Sequence, residues 1–321
     1  SYYLRGRLRD FSSPWSLLGL RELSLGSKLR YGLNVVRSRL RRDWRELEDI
    51  SASDWLRAEI GPQAYELLWS NLMRLKFHEH ASSISAAWLW TRIRRVSASR
   101  NWMLNETLGY VEGGSDVIVS RLARAILERG GRILTSRPVS GLAVRASRVE
   151  GVITRDGKEC FDAVISTAPL PVVAGWIELP DELRRAYGRI ANIGVICSIL
   201  VLDGPLTDAF WTNINDESIP LAGFIEYTNL NPMGGLHVVY VPEYLPARHA
   251  RFGLPARRLV AQHMRHVGRV VPGFDERRVL DAHVHRSELS QPICTAGFSR
   301  LLPAARSPLE GFYAADTSHF Y

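Results

Sequence analysis

Gly311-Phe312-Tyr313-Ala314-Ala315-Asp316-Thr317-Ser318-His319-Phe320-Tyr321 closes the chain and decides how its fold is read. A glycine leads into a short apolar run, Phe312 to Ala315, which stops at an aspartate followed by two hydroxyl residues. Such a run reads as a buried parallel strand carrying a carboxylate to the carboxyl edge of a sheet, where open α/β sheets bind nucleotides. In a complete site that strand feeds a helix whose N-terminus faces a pyrophosphate, and no helix follows Tyr321 here. The front reads in the same way, with no initiator Met, no targeting segment and no opening strand. No G-x-G-x-x-G occurs either, the nearest stretch being Gly109-Tyr-Val-Glu-Gly113-Gly114. The expectation is an internal segment of a longer protein.

Working back from the terminus, residues 109–170 read as an α/β region. Gly113-Gly114-Ser115 precedes a helix with Ile118, Leu122 and Ile126 inward, stopped by Gly130-Gly131. Arg132 to Ser136 reads as a short strand, ending at Pro138-Val139. Strand-like runs follow at Gly141 to Arg145, Arg148 to Thr154 and Cys160 to Ser166, with Asp156-Gly157 supplying a hairpin turn. The last run leaves through Ser166-Thr167-Ala168-Pro169.

The first hundred residues read as helices. Leu29, Leu33, Val36 and Leu40 form a one-sided apolar stripe, and Ser51 with Asp54 makes a capping box ahead of Trp55-Leu56. Gly61-Pro62 closes one helix and opens the next, on which Tyr65, Leu68, Leu72 and Leu75 share a face. Trp88, Leu89 and Trp90 read as core. Residues 171–290 read as a mostly antiparallel sheet with flanking helices: strands at Ile193 to Leu202, Ala222 to Tyr227 and Leu236 to Val241, and helices at Asp181 to Ile190 and Ala256 to His266.

Composition narrows the function. The 321 residues are 46% hydrophobic and 23% charged, ordinary for a globular protein with a sizeable core. The net charge is +8, yet with three lysines (Lys28, Lys76, Lys158) among 41 basic residues the other 38 are arginines spread along the whole chain. A bias that broad argues against a nucleic-acid patch. The one concentrated stretch, Arg37-Ser-Arg39-Leu-Arg41-Arg42, reads as a solvated helix face or a contact with a membrane surface or acidic ligand. The longest apolar run, Ile193 to Leu202, is about half the ~20 residues a membrane helix needs. Cys160, Cys197 and Cys294 lie far apart and read as buried thiols of a reducing, cytoplasmic compartment. The H-x-H pairs His78/His80 and His283/His285 lack further ligands, so no metal site is expected.

The order Gly109-Tyr-Val-Glu-Gly-Gly-Ser115, helix, Gly130-Gly-Arg-Ile-Leu, Pro138-Val139, V-x-x-x-x-D-G, D-A-V-I-S-T-x-P and Gly311-Phe-Tyr-Ala-Ala-Asp316 resembles the flavin-containing amine oxidase superfamily. Ala315 stands where that superfamily's terminal flavin motif has a second glycine. The helical front and the stretch from Trp211-Thr-Asn-Ile-Asn to Ile225-Glu-Tyr-Thr-Asn look most like its protoporphyrinogen-oxidase-like and carotenoid- or squalene-desaturase-like members.

That resemblance implies an FAD-dependent oxidoreductase of the glutathione-reductase type that lacks its N-terminal βαβ unit. Residues 1–104 would be a helical lobe of the substrate domain and 171–290 its mixed sheet; 105–170 and 291–321 would build the FAD domain. It further implies that Val139 offers backbone groups to the adenine, that Ser166, Thr167 and Pro169 run past the dinucleotide, and that Gly311 leads to Asp316 at the ribityl-pyrophosphate end. It implies a small-molecule substrate giving up hydride to flavin N5; the charge pattern for its part points to no nucleic acid and leaves peripheral membrane contact open. No catalytic acid, base or nucleophile stands out. Amine-oxidising members place a lysine near N5, and residues 159–321 contain none, so desaturation or ring oxidation leads. The alternatives are a sugar-nucleotide mutase on the same fold and a non-catalytic basic module. As a segment, the chain alone is expected to bind FAD weakly and to turn nothing over.

Overall fold

A computed structural model of the chain describes residues 1–10, 14–98 and 109–319. They form two compact units from interleaved segments: Ser1–Tyr110 with Asn192–Ser290, and Val111–Ala191 with Gln291–Tyr321.

The first unit is built on a seven-stranded sheet in the order Val279–Pro292, Asn192–Leu202, His237–Pro246, Gly223–Glu226, Trp211–Asn215, Tyr2–Leu4, Arg7–Arg9. Its central hairpin pairs Asn192–Leu202 antiparallel with His237–Pro246, in a register that sets Ser198 opposite Val241. Ile196, Ser198, Leu200 and Leu202 alternate onto one buried face. Against that face lies the helix Ala256–Val270, whose Leu259, His263, Val267 and Val270 recur at spacings of three and four and are all fully buried. Tyr2–Leu4 joins the sheet parallel to Trp211–Asn215, with Tyr3 opposite Ile214. The chain therefore does open on a strand, contrary to the sequence reading, which lacked the distant partner that makes three residues a strand.

Helices complete this unit. Ser51 caps Ala52–Ile60 by accepting the Asp54 N–H at 3.0 Å, and its hydroxyl donates to the Asp54 carboxylate at 2.7 Å. Gly61 at φ 85° then turns the chain into Pro62–Tyr65. Trp90 is buried and donates its indole N–H to the Ser38 carbonyl at 2.9 Å, which ties Ala86–Ala98 to Leu25–Leu40.

The second unit holds a three-stranded antiparallel sheet, Val139–Arg145, Arg148–Thr154 and Gly157–Cys160, and a parallel pair, Val164–Ser166 with Phe312–Ala314. The terminal strand thus forms and is parallel, as the closing sequence implies, and its partner is Val164–Ser166. Arg132 to Ser136 forms no strand; Ile133 and Leu134 are exposed and have no ladder to join among the described residues. Ile118, Leu122 and Ile126 of the helix Ser115–Glu128 are exposed and not inward, because no described element packs on that side. Cys160 is exposed as well, whereas Cys294 is buried. Residues 171–191 belong to this unit, so the chain crosses to the large sheet at Asn192.

Candidate functional site

The terminal strand and its partner run parallel, with Phe312, Tyr313 and Ala314 opposite Val164, Ile165 and Ser166, so both carboxyl ends reach one edge. Gly311 starts the strand at φ 77°, and a Cβ there would lie 3.1 Å from the Asp162 carbonyl; only glycine sits there without strain. Past the ladder, Ala315 donates its N–H to the Ser166 carbonyl at 3.0 Å, which holds the two exits together.

Asp316 follows, buried and bound to its own chain. Its Oδ2 accepts the N–H of Leu170 at 2.8 Å, the first residue of the helix Leu170–Ala174 that Pro169 leads into. Its Oδ1 accepts the N–H of Ser318 at 2.9 Å and the Ser318 hydroxyl. A carboxylate at a helix N-terminus meets unpaired N–H donors and the positive end of the dipole, which is why an acidic residue suits this position. His319 completes the turn. Its Nε2–H donates to the Pro303 carbonyl at 3.1 Å, which leaves Nδ1 to accept the Asp316 N–H at 3.3 Å.

Two features of this edge suit a hydroxyl-rich dinucleotide. An ionised carboxylate has about four acceptor positions, and three of those on Asp316 are engaged. The Ser166 hydroxyl is buried with no hydrogen-bond partner among the described residues, a state that costs free energy unless something else satisfies it. Thr167, exposed, stands next to it. The structure therefore brings together Ser166, Thr167, Pro169 and Asp316 at the carboxyl edge, while Gly311 starts the strand at its opposite end, beside Asp162. Val139 does not share this ladder; it starts the three-stranded sheet, opposite Thr154, next to a bulge before Gly141.

Sequence reasoning missed two groups in the first unit. The ammonium of Lys76 lies 5.1 Å from the Tyr244 ring centroid, 5.5 Å from that of Trp88 and 5.6 Å from that of Phe77. Burial, with help from Arg92 and Arg95, pushes this lysine down to about 8. The absence of lysine after residue 158 had pointed away from a lysine beside the large sheet, yet Tyr244 belongs to that sheet. The second group is a buried chain: the Ser198 hydroxyl meets His263 Nδ1 at 2.7 Å, His263 Nε2 meets Glu243 at 3.2 Å, and Arg251 donates to the same carboxylate at 2.8 Å. Desolvation opposes the Glu243 charge, but His263 and Arg251 win and hold its carboxyl below the usual range. With Ser198 and His263 fully buried, no substrate reaches this chain, and it braces the helix against the sheet. Among the described residues no group of three or more His, Cys, Asp or Glu could hold a metal, and no helix is long and apolar enough to cross a membrane.

A mixed α/β chain in two interleaved units, with an aspartate at the carboxyl edge of a parallel pair, has the fold of FAD-dependent amine oxidases. The chain belongs to the flavin-containing amine oxidoreductase family, whose model matches residues 1–321. It is an oxidoreductase of that family, and its cofactor is FAD. Similar solved structures include an oxidoreductase from Methanosarcina mazei at TM-score 0.66 and 19% identity, covering 92% of this chain and 68% of that one. A provisional protoporphyrinogen oxidase from Exiguobacterium sp. 255-15 aligns at TM-score 0.66 and 16% identity, over 96% of this chain and 70% of the other. Putrescine oxidase bound to putrescine aligns at TM-score 0.65 and 14% identity, over 98% and 74%. Identities this low speak for the fold alone. No curated protein sequence matches the chain.

Proposed function

We propose that the second unit carries FAD along the edge formed by Ser166, Thr167, Pro169 and Asp316, with Gly311 leading into the strand that ends there, and that the substrate is an apolar or cyclic compound oxidised at carbon. The observation that carries the cofactor placement is the buried Ser166 hydroxyl, without a partner among the described residues, on the strand end whose carbonyl is bound by Ala315, the residue before Asp316. In this reading the remaining acceptor position of Asp316 takes a cofactor hydroxyl, and the Ser166 hydroxyl takes a second polar contact. Val139 offers backbone groups to the adenine. Asp316 also fixes the start of Leu170–Ala174 and the turn at Ser318, so the edge is pre-arranged before anything binds. Bound FAD supplies the hydride-accepting chemistry.

The substrate class rests on the strands of the first unit, none of which carries a lysine, so the sheet presents no amine base. A second reading, oxidation of an amine, is favoured by Lys76, whose lowered pKa leaves a good share of it neutral near pH 8. One experiment separates the two. The flavin-loaded protein from the complete gene is mixed without oxygen with a polyprenoid, a reduced tetrapyrrole and a diamine in turn. Loss of the visible flavin absorbance with either of the first two supports carbon oxidation, and loss with the diamine alone overturns it.

A further inference from the structure

The helix Leu25–Leu40 is inside out. Five of its six large aliphatic side chains face solvent, Leu25 79% exposed, Leu29 66%, Leu33 44%, Val36 54% and Leu40 72%, and the sixth, Val35, is half-buried. Lys28, Asn34 and Ser38 are instead its buried residues. The inward face is satisfied by polar contacts: Lys28 donates to the Leu18 carbonyl at 2.7 Å, and the Ser38 carbonyl accepts the Trp90 indole N–H. Turning the helix over would break them.

At about 100° per residue the five aliphatic side chains fall within an arc of roughly 80°. Arg30 and Arg37 border that arc on one side and Arg39 on the other. The helix contains no Asp or Glu. Arg30 and Arg37 are steadied by the carbonyls of Ala58 and Glu59 and by the Glu59 carboxylate, while Arg39 has no partner among the described residues. An exposed apolar stripe with guanidinium groups on both borders has the pattern of a helix lying in a membrane interface, apolar face down and cations at headgroup level. Its 16 residues span about 24 Å, and since it is not long and apolar enough to cross, it would lie flat.

We propose that Leu25–Leu40 docks this protein on a bilayer surface containing anionic lipid. Charge selects this occupant over a second copy of the chain. Two such faces brought together would set arginines against arginines, with the nearby Glu59 carboxylate already engaged by Arg37, whereas an anionic leaflet complements Arg30 and Arg39 on the two borders. The inference stands apart from the substrate reading, since it needs only the exposed stripe and its border.

The full chain is sedimented with vesicles of mixed phosphatidylcholine and phosphatidylserine and, separately, of phosphatidylcholine alone. The mixed vesicles should hold at least about tenfold more protein. The double substitution Leu29→Asp/Val36→Asp should lower that binding at least about tenfold with an unchanged melting temperature, because both side chains already face water. Arg39→Glu should lower it severalfold, and Leu280→Asp, an equally exposed position on the edge strand, should leave it unchanged. The proposal is overturned if mixed vesicles capture no protein, if neutral vesicles capture as much, or if Leu29→Asp/Val36→Asp has no effect. It is likewise overturned if light scattering shows a dimer that the double substitution splits, since the stripe then belongs to a second copy.

Discussion

Replacing Asp316 by alanine removes the acceptor of three hydrogen bonds and tests the two roles proposed for this residue. Two of the lost donors are backbone N–H groups, Leu170 at 2.8 Å and Ser318 at 2.9 Å, on residues that are fully buried. An unsatisfied buried donor costs about 1–3 kcal/mol, and charged acceptors lie at the upper end. Water entering the space left by the carboxylate recovers part of this, so the expected destabilisation is about 3–4 kcal/mol. The assay is urea unfolding followed by far-UV circular dichroism, with FAD affinity measured separately by flavin fluorescence. The transition of the second unit should move to lower urea while that of the first stays in place. Asp316→Asn, which keeps one acceptor oxygen, should retain about half the stability and lose about ten- to a hundredfold in FAD affinity. A loss below about 1 kcal/mol for Asp316→Ala would refute the capping role, and unchanged affinity in Asp316→Asn would refute the cofactor role.

Other outcomes follow from single positions. Lys76 falls from 10.5 to about 8 on folding, so the unfolded chain binds more protons between those values and stability rises with pH across that window. The three ring contacts offset part of this penalty, so Lys76→Met should stabilise the protein by about 1 kcal/mol at neutral pH and flatten the slope, as read in thermal melts from pH 7 to about 10.5. Glu243→Gln leaves Arg251 and His263 without their carboxylate and should destabilise the first unit by about 3 kcal/mol. Because its folded pKa is depressed, Glu243 contributes stability above about 4.5 that disappears as the pH falls through the folded value; acid unfolding of the variant should lack that component. Gly311→Ala meets both a φ of 77° and the Asp162 carbonyl, and should cost about 1–2 kcal/mol in urea unfolding.

Local chemistry made part of this fold legible. Ser51 and Asp54 announce their helix, Asp156-Gly157 its hairpin, and Gly311 to Asp316 the terminal strand with its carboxylate, because each depends on neighbours in sequence. What escaped the sequence depends on distant partners. Tyr2–Leu4 is a strand only because Trp211–Asn215 lies beside it, and Arg132 to Ser136 is not one because no described strand does. Val279–Pro292, a long edge strand with charged residues throughout, carries too little apolar alternation to stand out. The stripe of Leu25–Leu40 was visible, but periodicity finds an apolar face without saying what it faces. Lys76 and Tyr244, like Ser198, Glu243 and His263, meet only through the fold. At the edge proposed for the cofactor the residue types were readable, whereas the engagement of Asp316 with its own backbone was not.

The central claim is that FAD lies on the edge made by Ser166 and Asp316. The direct measurement is the visible absorption spectrum of the protein purified from its complete gene in the presence of FAD, beside the Ser166→Ala and Asp316→Asn variants. Flavin absorbance at one FAD per chain is expected in the parent protein. Ser166→Ala, missing one neutral hydrogen bond, should lose about two- to tenfold in affinity, and Asp316→Asn more. A parent protein with no flavin absorbance after saturating FAD, or variants that hold it as tightly as the parent, would contradict the claim.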